Sequence, residues 1–499
     1  MDRSFKLLLA FILVLLLVSS CKKEELPPAP EIIKEASDVN KFIHSGLSTY
    51  YFWEGQVPAL YNPAYANNKD SLNAFLNKYQ DPEKLFYSLL YKYGEIDKFS
   101  FIVDNSAVID DWIAGISESI GMDFRLYYIR SGSEDLVGVI RYVLKDSPAA
   151  RAGLKRGDLF TMIDGQQLTS ANYQTLLFTH KTYTIGFASF NGTGFTSNGR
   201  TITVTAVSLM ENPIYLDTVL NVGGIKVGYL VYNAFTNSYD SLLNTSYDIE
   251  LNNIFGRFKN ENIQKLILDL RYNGGGSVNS AIYLASMIYS TNTGLVFCKT
   301  QYNAILTNYY YDKYGQNFFK NYFLNTIAKT SKTPETEINS LGLNEVYVIA
   351  TSETASASEL LINGLKPYIS VKQVGGNTYG KNVGSFTIKD WIDNQGNVNP
   401  NHNWAMQPVV LKIANSQDFS DFTSGLVPDI SAKEYTAEML PFGDPNEAML
   451  KACLDNIKGS KSGPISGRTD LKPFKSLDDL SPLKSMMFVD KLPPLPKDN

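Results

Sequence analysis

Five hydroxyl residues and two acids crowd the stretch Thr351-Ser352-Glu353-Thr354-Ala355-Ser356-Ala357-Ser358-Glu359. It follows the apolar run Glu345–Ala350 and leads into Ala357, Leu360, Leu361 and Leu365 at helical spacing, the pattern of a buried strand, a turn and an amphipathic helix. A hydroxyl at such a junction faces free N–H groups and the positive end of the helix, which suits a nucleophile whose attack creates an oxyanion. The same position is where helices place an ordinary capping serine, so residue types alone do not choose among these hydroxyls. A base is also needed, and the three histidines, His44, His180 and His402, are scattered in unpromising settings. Lys381 is the alternative, set among glycines in Gly375-Gly376-Asn377-Thr378-Tyr379-Gly380-Lys381-Asn382-Val383-Gly384. Its amine can take a proton only if burial or cationic neighbours keep it neutral; alone, the loop reads as a surface turn. A third segment, residues 266–277, runs strand, Gly274-Gly275-Gly276, helix, and consecutive glycines can present N–H groups to an anion. It lacks the spacing of dinucleotide and P-loop motifs.

The elements that must position these groups fall into segments. Residues 36–116 read as a helical N-terminal domain, with Val39, Phe42, Ile43 and Leu47 on one face and Asp81-Pro82 opening a later helix. From 117 to 210 short strands alternate with turns: a strand over 136–144, a short helix capped by Ser147 and stopped at Gly153, a strand Leu159–Ile163, and an Asp164-Gly165 hairpin. From 211 to 457 strands alternate with helices, with apolar runs at 225–231, 265–270 and Glu345–Ala350, as in an α/β core. Residues 458–499, rich in Gly, Ser, Pro and Lys, read as an extended C-terminal extension.

The chain of 499 residues is 44% hydrophobic, 12% aromatic and 19% charged, a globular composition long enough for several domains. With 45 Lys+Arg against 50 Asp+Glu its net charge of −5 argues against nucleic acid as a partner. Cys21, Cys298 and Cys453 fit neither a disulfide framework nor a metal site. Arg3 and Lys6 precede an apolar run at 7–18 that is too short to span a bilayer, so residues 1–20 read as a signal peptide. Val18-Ser19-Ser20-Cys21 resembles the lipobox of bacterial lipoproteins. That resemblance makes Cys21 a lipidated first residue, residues 21–35 a linker, and the chain a lipid-anchored protein of the cell envelope, whether outer-membrane, periplasmic or surface-facing.

Residues 146–168 resemble a PDZ domain of the bacterial protease type, and the resemblance makes Ile120, Gly121 and Met122 the loop that captures a peptide's terminal carboxylate. The three chemical segments, in their order and spacing, resemble the C-terminal processing peptidases, also called tail-specific serine proteases. The family's Asp-Leu-Arg-x-Asn-x-Gly-Gly, Ser-Ala-Ser-Glu and Gly-Lys motifs correspond here to 269–276, 356–359 and 380–381, and Gly425-Leu426-Val427-Pro428-Asp429 matches its late turn. The resemblance implies Ser356 as nucleophile, Lys381 as general base, Glu359 as support, and the N–H groups of Gly275 and Ala357 as oxyanion donors. It also implies an α/β, ClpP/crotonase-like protease core behind the helical and PDZ-like domains, protein or peptide substrates, and no metal or cofactor. The chain departs from the family where Asn382 follows the lysine and where Pro367 stands in place of an acid found in some members. The expectation is a Ser/Lys serine endopeptidase that recognises substrates near their C-terminus. A peptide-binding lipoprotein without catalysis is the alternative; a glycan-binding module through Tyr51, Trp53 and Trp404 has no ordered platform behind it.

Overall fold

Parallel strands put the segments that follow them on one edge of a sheet, and this brings the serine, lysine and glycine turns together. In the computed structural model, residues 33–238, 244–393, 396–460, 471–476 and 487–489 are described; the expected signal peptide, Cys21, the expected linker up to residue 32 and most of the expected C-terminal extension lie outside them. The central sheet has the order Ile214–Val222, Ile225–Tyr232, Lys265–Asp269, Glu345–Ala350, Ser370–Gly375, Ile430–Ser431. Only its first pair is antiparallel. Successive side chains point to opposite faces. Leu266, Leu268, Val346 and Val348 therefore pack with the helices Ser246–Asn260, Val278–Ile288 and Ala357–Leu365, while Ile267, Tyr347 and Ile349 pack with Ala448–Ile457. Each fully buried Leu, Ile or Val contributes about 1.5–3 kcal/mol, which explains why these strands read as unbroken apolar runs.

A second sheet flanks the turns, in the order Gly276–Ser277, Met487–Phe488, Val383–Ser385, Val409–Asn415, Val296–Tyr302, Lys320–Tyr322. One piece of the C-terminal extension thus lies between the strand after the glycines and the strand after Lys381. Another piece, Lys472–Ser476, is the edge strand of the PDZ-like sheet, followed by Met122–Tyr128, Leu136–Val143, Leu159–Ile163, Thr182–Phe190 and Phe195–Thr205. Within that sheet Ser147 accepts the Ala150 N–H at 3.1 Å, and Asp164 and Gly165 adopt the positive φ of the expected hairpin.

The N-terminal helical region is less uniform than its periodicity predicts. Residues 33–37 and 62–80 form a compact unit of their own, with Pro63–Asn67 and Lys69–Leu76 capped by Asn62 and Asn68. The helices Asp38–Tyr50 and Pro82–Ser88 belong to the larger unit. Phe101–Val103 is a strand, paired with Ala405–Gln407 from the far end of the core. Helical periodicity cannot reveal a partner 300 residues away.

Candidate active site

Ser356 directly precedes the helix Ala357–Leu365, is fully buried, and holds φ at +67°, a left-handed conformation that costs a non-glycine residue of order 1 kcal/mol or more. Of its four competitors Ser352 is exposed, and the other three donate to main-chain carbonyls. The Thr351 hydroxyl donates to the Arg271 carbonyl, Thr354 to the Leu270 carbonyl at 2.8 Å, and Ser358 to the Asn273 carbonyl at 3.0 Å. Those bonds tie the serine turn to the glycine turn. The Ser356 Oγ, also buried, meets only the Glu359 N–H that it faces across the capping box of the helix, and its own proton has no acceptor among the described residues. Burying a hydroxyl proton without an acceptor costs about 1–3 kcal/mol, so a structure that satisfies its neighbours and leaves this one alone carries a reason at this position.

Glu359, one turn along the helix and fully buried, joins the serine to the lysine loop. Its Oε2 accepts the N–H of Ser356 and the N–H of Lys381, both at 2.8 Å. Its Oε1 accepts the Gly380 N–H at 2.7 Å and the Thr378 hydroxyl. The main-chain nitrogens of Ser356 and Lys381 therefore lie within twice 2.8 Å of each other. Burial raises the Glu359 pKa, and the four donors pull it back toward the ionised form they bind.

Lys381 is 1% exposed, and burial lowers its ammonium pKa to about 7, against the opposing pull of Asp97 and Glu359. Its Nζ stands 4.4 Å from the centre of the Phe99 ring. Asp97 is itself buried, accepting the Tyr51 hydroxyl at 2.8 Å and the N–H groups of Phe99 and Ser100 at 3.0 Å. The lysine loop interlocks with the Gly425–Asp429 turn. A Cβ on Gly380 would stand 2.4 Å from the Thr423 carbonyl oxygen and one on Gly425 2.1 Å from that of Thr378. Both glycines have positive φ. Asp429 closes the turn by accepting the Gln373 N–H at 2.8 Å.

The glycine turn departs from one expectation. The Gly275 N–H donates to Asn273 Oδ1 at 2.9 Å, while the Asn273 amide donates to the Tyr232 carbonyl at 2.9 Å. An asparagine two positions before a glycine can close such a local turn. Of the two expected oxyanion donors, Gly275 is thus engaged within its own turn; Ala357 N–H, the first amide of its helix, has no partner among the described residues. A cleft opens onto Gly274, Gly275 and Gly276 from the PDZ-like side, lined also by Asp123, Tyr142 and Asn233, whose buried Nδ2 lacks a partner.

Two further groups of residues were not legible as site components. Glu353, three positions before Ser356, is gripped by Arg125 at 2.7 Å and by Arg141, which also binds Asp123. Arg125, Arg141 and Asp123 all lie on the PDZ-like strands Met122–Tyr128 and Leu136–Val143. Likewise Glu434 bridges Arg156 of the PDZ-like domain to Arg271, which binds Asp269 and Glu447 behind the glycine turn. The expected carboxylate loop is tight: Gly121, at positive φ, donates to Ser119 Oγ at 3.1 Å, and its absent Cβ leaves room for Ser147. The histidines are occupied or remote, His44 with the Ala59 carbonyl, His402 with Asp390, His180 exposed.

Comparison with known proteins gives this geometry a setting. Residues 226–431 match the family described as Peptidase family S41, residues 38–101 the Peptidase S41 N-terminal domain, and residues 139–177 a PDZ domain. The "Probable CtpA-like serine protease" of Staphylococcus aureus is 23% identical over 344 residues, which cover 64% of this chain and 58% of that protein. Its counterpart in Staphylococcus saprophyticus is 22% identical over 248 residues, 48% of this chain and 41% of that one. The chain thus spans less than two thirds of these curated relatives. A crystal structure of a candidate S41 protease from Bacteroides fragilis superposes with a TM-score of 0.63 at 26% identity, covering 84% of this chain and 97% of that one.

Proposed function

We propose that this chain, which belongs to peptidase family S41, is a serine endopeptidase with Ser356 as nucleophile and Lys381 as general base. The observation that carries this reading is Glu359, whose one oxygen binds the main chain of both residues while the Ser356 hydroxyl, alone among the buried hydroxyls of its turn, has no acceptor for its proton among the described residues. A lysine with its pKa near 7 is neutral in half the molecules at that pH and can accept the serine proton. The serine oxygen then bonds to the peptide carbonyl carbon, and the carbonyl electrons move onto oxygen. Ala357 N–H and the helix terminus stabilise that charge; a glycine-turn amide joins them once the Asn273 side chain releases it. The lysine ammonium returns the proton to the leaving amine, and water, deprotonated by the same amine, hydrolyses the acyl-enzyme.

The PDZ-like groove would receive a substrate's C-terminal segment by strand addition, and Cys21 would tether the protein to the envelope membrane through lipid. Peptide hydrolysis by residues 22–499 tests the assignment beside Ser356→Ala and Lys381→Ala. Both variants should lose turnover by at least about 10³-fold with folding intact; equal turnover in all three removes the dyad. A second reading, peptide binding without catalysis, draws on the complete burial of Ser356 and Lys381. It prevails if the parent chain binds peptides and cuts none. Palmitate labelling that persists in Cys21→Ser would reject the anchor.

A further inference from the structure

A PDZ-like domain offers a peptide the groove between its edge strand and a helix, here Met122–Tyr128 and Tyr173–Phe178. In this molecule that groove is occupied by the chain itself. Lys472–Ser476 pairs antiparallel with the edge strand, Lys472 opposite Tyr128, Pro473 opposite Tyr127, Lys475 opposite Leu126 and Ser476 opposite Arg125. Its direction is that of an incoming C-terminus. Reading from Lys472 to Ser476, the segment advances from the far end of the strand toward the Ile120-Gly121-Met122 loop.

Its side chains are seated as a ligand's would be. Phe474 meets Tyr128 of the strand and Tyr173 of the helix edge-on, each with ring centres 5.2 Å apart, and packs on the core of the domain. Leu471, 8% exposed, packs with Tyr127, Val137, Val139 and Leu159. Lys472 Nζ lies 5.3 Å from the Tyr128 ring centre. The backbone ladder is weaker than the side-chain fit, since Pro473 has no N–H to donate and the register shifts between Pro473 and Lys475. Such an occupant is held mainly by its aromatic anchor and is open to exchange.

We infer that residues 471–476 are an intramolecular ligand of the PDZ-like groove, and that a peptide from outside must displace them to bind. The occupant also reports the ligand class, an extended segment carrying an aromatic side chain between basic residues. The consequence for cleavage rests on the proposed capture of substrate tails by this groove; the occupancy rests on the pairing alone.

The test uses the full chain carrying Ser356→Ala, so that nothing is cut, and a fluorescein-labelled peptide Leu-Lys-Pro-Phe-Lys-Ser with a free carboxylate. Adding Phe474→Ser to the chain should tighten binding of this peptide at least tenfold, and replacing phenylalanine by alanine in the peptide should abolish it. Equal affinity for both chains, or binding to neither, overturns the inference. Amide exchange guards against a variant that misfolds. In the parent chain the edge-facing amides of Met122–Tyr128 should be protected from exchange, though less than those of Leu136–Val143, and exchange at the rate of an unpaired sheet edge overturns the inference whatever the variant does. Because both measurements are made without catalysis, failure of the Ser356 and Lys381 assignment leaves them untouched.

Discussion

Lys381 keeps a primary amine where water cannot solvate the cation, and the groups around it decide how far its proton affinity falls. Burial is the largest influence, and the negative charges of Asp97 and Glu359 oppose it. If the amine must be neutral to act, peptide hydrolysis should rise with pH through about 7. Asp97→Asn removes a charge that favours the ammonium form, so the acid limb of the rate profile should move to lower pH; a shift upward, or none, would contradict the coupling. Asparagine keeps an oxygen for the Phe99 and Ser100 amides, so the local turn survives. At this scale the sequence discloses the serine, lysine and Glu359 because each sits in a contiguous motif. Asp97 escapes notice, since nothing near it in sequence marks it as a neighbour of a lysine 284 positions on. Gly275 was predicted by motif, yet its N–H belongs to Asn273 in this structure, and that competition depends on a side-chain torsion no pattern encodes.

Elements carry these residues to one edge because Lys265–Asp269, Glu345–Ala350 and Ser370–Gly375 are adjacent, parallel and in step, with Ile349 opposite both Asp269 and Val374. Their apolar runs made them legible, and the crossover helices between them require parallel pairing. What the patterns could not supply was the buttress behind the lysine loop. Thr378 accepts the Leu426 N–H at 2.7 Å and bonds Glu359, so the late glycine turn sets the position of Lys381 through one hydroxyl. Gly425→Ala should cost roughly 2–4 kcal/mol, since its Cβ meets the Thr378 carbonyl at a φ of +86°. Denaturant unfolding measures this, and hydrolysis should fall further than stability alone explains. A change below 0.5 kcal/mol, about the level of a neutral surface substitution, would reject the buttress.

Across the whole molecule, the PDZ-like and core sheets are joined by buried guanidinium–carboxylate clusters rather than by an apolar seam alone. Burial would raise the Glu434 pKa, yet Arg156 and Arg271 hold it down at about 2. A carboxyl depressed in the folded state stabilises above its unfolded pKa near 4.5 and loses that contribution as pH falls toward 2. Thermal stability should therefore decline over that interval, and Glu434→Gln should flatten the decline while lowering stability at neutral pH. An unchanged acid limb would remove the cluster from the account. None of these partners was legible in sequence, because Arg156 and Glu434 are 278 positions apart and charged residues at such distances read as ordinary surface.

The strand Lys472–Ser476 has one more consequence. A competitor carried on the same polypeptide meets its groove at a local concentration fixed by chain geometry, so diluting the protein does not free the site. Only the abundance and fit of foreign chain ends can do that. Occupancy of the groove would then count loose termini in the surroundings, independent of how many copies of the protein a cell makes.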